Sequence, residues 1–122
     1  MSMQDIENFQ EERAQLNDIV MKYADLGIKR FYSLDAQVYR EGALPRKTKE
    51  MLGLVASFVL RCDDCIRYHL VRCFQEGVTS EEMEEAMSIG LIVGGSITIP
   101  HLRKAMKTWD SLKKHEASKK ED

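Results

Sequence analysis

Apolar residues recur three and four positions apart along nearly the whole chain, a spacing that lays one stripe along an α-helix and has no counterpart in a strand. Ile6, Phe9, Leu16, Ile19, Val20 and Tyr23 form a first stripe, which Gly27 interrupts. Ile28, Phe31, Leu34 and Val38 predict a second, shorter helix ending near Gly42. Leu44-Pro45 opens a third, with Pro45 suited to a first helical turn and Met51, Leu52, Val55, Phe58 and Val59 as its apolar set. A fourth carries Cys62, Cys65, Ile66, His69, Leu70, Cys73 and Phe74 and ends at Gly77, a C-cap residue. Thr79 and Glu82 have capping-box spacing and start a fifth, whose buried face is Met83, Ala86, Met87, Gly90 and Leu91. After Gly94-Gly95, Pro100 stands near the start of a last helix carrying Leu102, Ala105, Met106, Trp109 and Leu112.

The fold class expected is therefore all-α, a single-domain bundle of about six helices. Residues 1–43 supply N-terminal helices, 44–112 a core, and 113–122 a charged tail that should fray. The 122 residues suit one hydrophobic core, and there is no internal repeat or low-complexity segment. Eighteen Lys and Arg against twenty Asp and Glu leave a formal charge of -2, so no broad positive field exists to hold nucleic acid or an anionic membrane. The longest uncharged run, the 15 residues Ala86 to Pro100, is too short for a membrane helix and reads as core or subunit interface. Asp5, Glu7, Glu11 and Glu12 stand where a signal peptide would be basic and apolar, which predicts a cytoplasmic chain. Three cysteines, an odd number, argue against a secreted disulfide framework.

The informative chemistry lies between Glu50 and His69. With Cys62 at a helix N-cap and Cys65 in the first turn, the sulfurs can approach closely, and the partial positive charge of the helix start favours a Cys65 thiolate. Cys65 is accordingly expected to have the lower thiol pKa of the pair. His69 is four residues on, on the same face, where an imidazole can exchange a proton with that thiol. Glu50, on the preceding helix, can orient His69 if the two helices pack antiparallel. Two other readings stay open: the cysteines as inert packing groups, or a zinc site of Cys62, Cys65 and His69 completed by Glu50 or water. Cys73 cannot join such a site, because Cys62 to Cys73 rises about 16 Å along one helix. It reads as a packed side chain. His101 is a candidate proton carrier or ligand, against a surface or capping role. The methionines Met83, Met87 and Met106 read as adaptable core, and Glu81, Glu82, Glu84 and Glu85 as complements to a helix dipole.

Glu50, Cys62, Cys65 and His69 in the order E-x11-C-x2-C-x3-H, with Leu44 to Lys49 before them and Gln75 to Thr79 after, resemble the alkylhydroperoxidase D-like proteins of the carboxymuconolactone decarboxylase superfamily. The likeness covers about residues 44–109. It implies an all-α fold, assembly into rings or hexamers, and thiol peroxidase or disulfide reductase activity without a metal or other cofactor. Carried over, Cys65 is the thiol that attacks a hydroperoxide, Cys62 condenses with it to a disulfide, and Glu50 and His69 form the proton relay. The implied partners are a hydroperoxide and an external thiol or dithiol reductant. Lactone decarboxylation is disfavoured, since the decarboxylases proper are similar to this chain only outside the cysteine pair. The N-terminal half of the larger peroxidase adaptors is not reproduced in Ser2 to Gly42. Independently of the resemblance, the run Ala86 to Pro100 and the C-terminal helix offer more apolar surface than one short bundle needs, which predicts self-association.

Overall fold

The computed structural model describes residues 2–121. Its regular elements are α1 (Met3–Tyr23), α2 (Leu26–Val38), α3 (Arg46–Val59), α4 (Asp63–Gln75), α5 (Ser80–Gly94) and α6 (Ile99–Glu121), with a 3-10 turn at Ser96–Thr98. No strand occurs among the described residues, and the all-α expectation holds.

Caps set most boundaries. Thr79 and Glu82 close the predicted box, with Glu82 N–H donating to Thr79 Oγ1 at 3.1 Å and Thr79 N–H to Glu82 Oε1 at 2.9 Å. Ser2 and Asp5 make a second box at the start of α1. The break after α1 falls at Ala24-Asp25, not at Gly27: Asp25 Oδ1 accepts from Ile28 N–H at 2.9 Å, which places Gly27 inside the first turn of α2. Pro45 is the N-cap of α3, one position before the helical turn in which it was expected.

Helices α3 and α4 end in the same way. At the end of α4, Gly77 has φ 83°, with Gly77 N–H donating to Phe74 O at 3.2 Å and Val78 N–H to Cys73 O at 3.0 Å. At the end of α3, Arg61 has φ 60°, with Arg61 N–H donating to Phe58 O at 2.9 Å and Cys62 N–H to Ser57 O at 3.1 Å. Both are Schellman motifs, the first with the expected glycine, the second with an arginine held left-handed. The second motif places Cys62, which is at once the last hydrogen-bonded residue of one helix end and the N-cap of the next.

The core forms where α3 packs on α4 and α5, and α4 on α6. Leu54, Phe58, Leu70, Met83, Met87 and Trp109 are buried there. Each such side chain contributes about 1.5–3 kcal/mol on leaving water. Trp109 meets Phe74 edge to face and donates from Nε1 to Ser80 Oγ at 2.9 Å, so its one polar atom is satisfied. Helix α1 buries only Ile6 in this core, with Met3 packed partly against it, and α2 buries no residue at all. The uncharged run splits: Ala86, Met87, Gly90 and Thr98 are buried, whereas Ile89, Ile92, Val93 and Ile97 face outward. Beyond Lys113, α6 continues as helix to Glu121. Its late turns hold the ion pairs Lys114–Asp110 at 2.9 Å and Lys113–Glu116 at 3.2 Å, one helical turn apart. Asp122 lies outside the described residues.

Candidate active site

The short connection from Leu60 to Cys62 folds α4 back along α3, and this hairpin joins the motif residues in two pairs, Cys62 with Cys65 and Glu50 with His69. Cys62 is the N-cap of α4, its sulfur accepting from Cys65 N–H at 3.3 Å. The Cys62 Sγ donates to Cys65 Sγ at 2.7 Å, so bond formation between the sulfurs requires only a small approach. Both are free thiols, with Cys62 half-buried and Cys65 exposed.

The acidity of the pair departs from expectation. The hydrogen bond with Cys62, burial, and the charges of Cys62 and Asp64 push the Cys65 thiol up to about 11, and Arg13 opposes them only in part. In the dithiol, the helix start therefore does not deliver a low-pKa Cys65. The backbone N–H that was to favour the Cys65 anion points at the Cys62 sulfur instead. A base is needed to draw the proton from Cys65 near neutral pH.

One turn further along α4, His69 is buried and meets Glu50 of α3, itself buried, with Nδ1 3.0 Å from Glu50 Oε2. The antiparallel packing required for that contact is present. Facing a carboxylate oxygen, Nδ1 carries the proton, which leaves Nε2 as the acceptor of the neutral ring. Arg72, another turn on, places Nε 3.6 Å from Glu50 Oε1 and Nη2 3.7 Å from Glu76. Glu50 thus has a partner on each oxygen, the condition under which a buried carboxylate is tolerated.

Besides Arg72, the sequence did not point to two further neighbours of His69. Tyr39, the C-cap of α2, sets its ring 5.4 Å from that of His69, with its hydroxyl 3.4 Å from Nε2. Gly53 lies between: a Cβ there would sit 2.6 Å from the Tyr39 oxygen and 2.8 Å from His69 Cε1. A glycine within the apolar run of a helix is itself a signal of close approach, whereas Tyr39 follows no helical spacing relative to the motif.

The remaining candidates fall elsewhere. Cys73 is buried, with burial and the charge of Glu50 pushing its thiol up to about 12, and it is a core group as expected. His101 holds Asp63, Nδ1 to Oδ1 at 2.7 Å, while Lys104 takes Oδ2 at 3.0 Å, and together they tie the start of α4 to α6. Burial disfavours the Asp63 charge, but the bonds from His101 and Lys104 outweigh it and keep the carboxyl below its ordinary range. Among the described residues no group of three or more His, Cys, Asp or Glu is arranged to hold a metal ion. A groove of about 380 Å³ beside Asp64 is lined by Phe9, Arg13, Leu16 and Tyr32 but by none of the four motif residues.

These features define an all-helical protein with a CxxC pair at a helix start, backed by a buried glutamate–histidine pair. The chain belongs to the carboxymuconolactone decarboxylase family, whose profile matches residues 28–108. It is 56% identical to TM1620 of Thermotoga maritima, whose crystal structure superposes with a TM-score of 0.90 over 92% of this chain and 98% of that one. A 1.56 Å structure of TM1620, with 57% identity and a TM-score of 0.87 over 91% of this chain and 94% of that one, is described as a family protein "possibly involved in antioxidative response". "Uncharacterized protein 4 in cox locus" of Paracoccus denitrificans is 28% identical over 67% of this chain and 74% of its own length. The 4-carboxymuconolactone decarboxylase of Acinetobacter baylyi matches only 40% of this chain and 37% of its own, at 35% identity.

Proposed function

We propose that this protein is a thiol-dependent peroxidase or disulfide reductase working through Cys62 and Cys65. The observation that carries the reading is the sulfur pair 2.7 Å apart at the start of α4, one turn from an imidazole held by a buried carboxylate. Cys65, the exposed sulfur, attacks the hydroperoxide: a sulfur–oxygen bond forms, the O–O bond breaks, and the alkoxide leaves with a proton as an alcohol. Cys62 then displaces the sulfenic hydroxyl, giving the disulfide and water. An external dithiol restores both thiols and is itself oxidised to a disulfide. The antioxidative description attached to the Thermotoga maritima relative agrees with this chemistry. An external dithiol as reductant agrees with a cytoplasmic protein.

The working form is an oligomer, as in hexameric assemblies of small chains. A 13-residue helix with no buried residue, carrying Phe31, Leu34 and Val38 into solvent, supports that reading. So do the outward-facing Ile89, Ile92 and Val93 of α5. Among the described residues no helix is long and apolar enough to cross a membrane. A second copy of the chain would cover these apolar faces.

Counting thiols before and after one equivalent of peroxide tests the activity. The expected result is loss of two thiols per chain, abolished in Cys65→Ser. Inertness to peroxide together with stoichiometric zinc binding would overturn it in favour of a metal-binding helical assembly. Light scattering at micromolar concentration tests assembly, and a mass near 14 kDa, that of one chain, would overturn it.

A further inference from the structure

We propose that Arg72 is a positioning residue of this site: its guanidinium supplies the counter-charge of the buried Glu50 carboxylate and thereby leaves Nε2 of His69 without a proton and able to accept one. The inference rests on the thiol chemistry proposed above, with His69 as its base, and concerns the state in which that base is held.

A carboxylate cut off from water needs a cation or several donors beside it. The Glu50 side chain is 2% exposed and has a partner on each oxygen, His69 Nδ1 at 3.0 Å from Oε2 and Arg72 Nε at 3.6 Å from Oε1. An imidazole is a cation only while both ring nitrogens hold protons, whereas a guanidinium is one at every pH a protein meets. With Arg72 in place, the Glu50–His69 pair can hold a single proton, on Nδ1, and its charge is balanced. Without Arg72 the buried charge would be met by one proton more. That proton has two places to go. On His69 it makes an imidazolium, with an N–H at Nε2. On Glu50 it makes a carboxylic acid, whose O–H donates to Nδ1 and so moves the ring proton to Nε2. Both arrangements close the lone pair at Nε2, so the cation one turn along α4 decides whether the imidazole can act as a base.

Arg72 is itself held in place. Its Nη1 donates to Gln75 Oε1 at 2.8 Å, its Nη2 lies 3.7 Å from Glu76 Oε1, and Arg46 Nε meets the same Glu76 oxygen at 3.3 Å. Charges therefore alternate in sign from Glu50 through Arg72 and Glu76 to Arg46, the first residue of α3. Other groups face the pair from the neighbouring elements. Tyr39, at the end of α2, sets its hydroxyl 3.4 Å from Nε2 and is steadied by Lys49, which grips the carbonyls of Val38 at 2.8 Å and Arg40 at 2.6 Å. Burial and the Glu50 charge raise the Tyr39 pKa, so the phenol keeps its proton and donates it to a bare Nε2. Cys73 of α4, pushed up to about 12 by burial and Glu50, is uncharged at neutral pH. Tyr68 turns an edge to the imidazole at 5.1 Å, and Arg13 of α1 lies over the Tyr68 ring, 3.8 Å from its centroid. Among the described residues, Arg72 is the arginine or lysine paired with Glu50.

Arg72→Met keeps the reach of the side chain and removes its charge, whereas Arg72→Lys keeps the charge. The readout is protonation of His69 Nε2 in the reduced chain, followed by nitrogen-15 chemical shifts of the ring from about pH 5 to 9, with helix content checked by circular dichroism. His101, paired with Asp63, is the internal reference. In Arg72→Met the pH at which Nε2 gains its proton should rise by about one unit or more, and Arg72→Lys should restore most of the difference. Thiol oxidation by peroxide at pH 7 should fall about tenfold in Arg72→Met and recover as the pH is raised. Glu76→Gln removes the anion that competes for Arg72 and should move the His69 transition the other way. A His69 profile equal in Arg72→Met and the wild type, or displaced equally in Arg72→Lys and Arg72→Met, would overturn the proposal. Where Arg72→Met does not fold, an unmoved or raised transition in Glu76→Gln overturns it. Peroxide consumption by the wild type separates the two readings. If the His69 transition depends on the Arg72 charge but no peroxide is consumed, the role of Arg72 stands and the peroxidase reading falls; if peroxide is consumed and the His69 profiles coincide, the role of Arg72 alone falls.

Discussion

The α3–α4 hairpin and the N-terminal arm formed by the second half of α1 and α2 carry the same sequence signature, apolar residues at helical spacing. Their fates differ. Phe58 of α3 is fully buried, whereas Phe31 of α2 is 69% exposed. The hairpin encloses Glu50 and His69 within its own packing, while the arm is tied down by a few polar contacts, such as Tyr32 Oη to Asn17 Oδ1 at 3.3 Å and the Lys49 grip beyond Val38. Periodicity thus states which face of a helix is to be covered and not what covers it. In this chain the site is built where coverage is intramolecular, and Tyr39 reaches it from the arm.

The largest expected difference between the two regions is chemical. His69→Ala should slow the first thiol oxidation by about a hundred- to ten-thousandfold with helix content unchanged, the range for removal of a positioned base. The corresponding loss of a hydroxyl in the arm, Tyr32→Phe, should leave the rate within about twofold. Stopped-flow measurement of peroxide consumption checks both, and comparable losses would abolish the distinction between site and arm.

Stability follows. Phe58→Ala should cost about 3–5 kcal/mol in urea unfolding at every protein concentration, because it opens a cavity between α3 and α5. Phe31→Ala should cost less than about 0.5 kcal/mol when the chain is dilute. At high concentration it should instead weaken the concentration dependence of the midpoint, the mark of a lost contact between copies. Equal and concentration-independent costs would mean that α2 is covered within its own chain.

The sequence made the hairpin legible and left the arm half-read, for physical reasons. Glu50, Cys62, Cys65 and His69 are fixed by spacing along two adjacent helices whose short connection leaves them little choice of partner. The expected N-cap at Cys62 and the capping box at Thr79 depend only on neighbouring residues. The acidity of Cys65 was misjudged because the helix-start N–H goes to the preceding sulfur, a matter of ångströms rather than of spacing. Tyr39 was missed because its contact with His69 spans 30 residues and depends on the Lys49 grip. The charged run from Lys113 gave no apolar periodicity to read, yet its opposite charges one turn apart pair along the continuing helix.

Alkaline sensitivity should be a property of the hairpin. The Cys73 thiol, raised from 9.0 to about 12 by burial and by Glu50, holds its proton in the fold after the unfolded chain has released it. The unfolded state therefore binds fewer protons above pH 9, and stability falls as pH rises from 9 toward 12. The slope is at most about 1.4 kcal/mol per pH unit for one thiol. Cys73→Ala should flatten that decline in urea titrations, and an unchanged slope would assign it to another group.

The smallest effect compares two ends of the hairpin itself. Both α3 and α4 finish in a Schellman motif, yet the left-handed position is Gly77 in one and Arg61 in the other, at φ 83° and 60°. For a residue with a Cβ that conformation costs about 1–2 kcal/mol, while a glycine there loses about 0.5–1 kcal/mol more through its freer unfolded chain. The difference predicts that Arg61→Gly stabilises the protein by about 0.5 kcal/mol. Gly77→Ala should destabilise it, and by strain alone, since nothing lies within 4 Å of a Cβ at that position. Because the Cys62 N–H bond to Ser57 O is independent of the Arg61 side chain, disulfide closure in Arg61→Gly should stay within about twofold of the wild type. A destabilised Arg61→Gly would show instead that the guanidinium beside Cys62 holds a contact worth more than the strain it imposes.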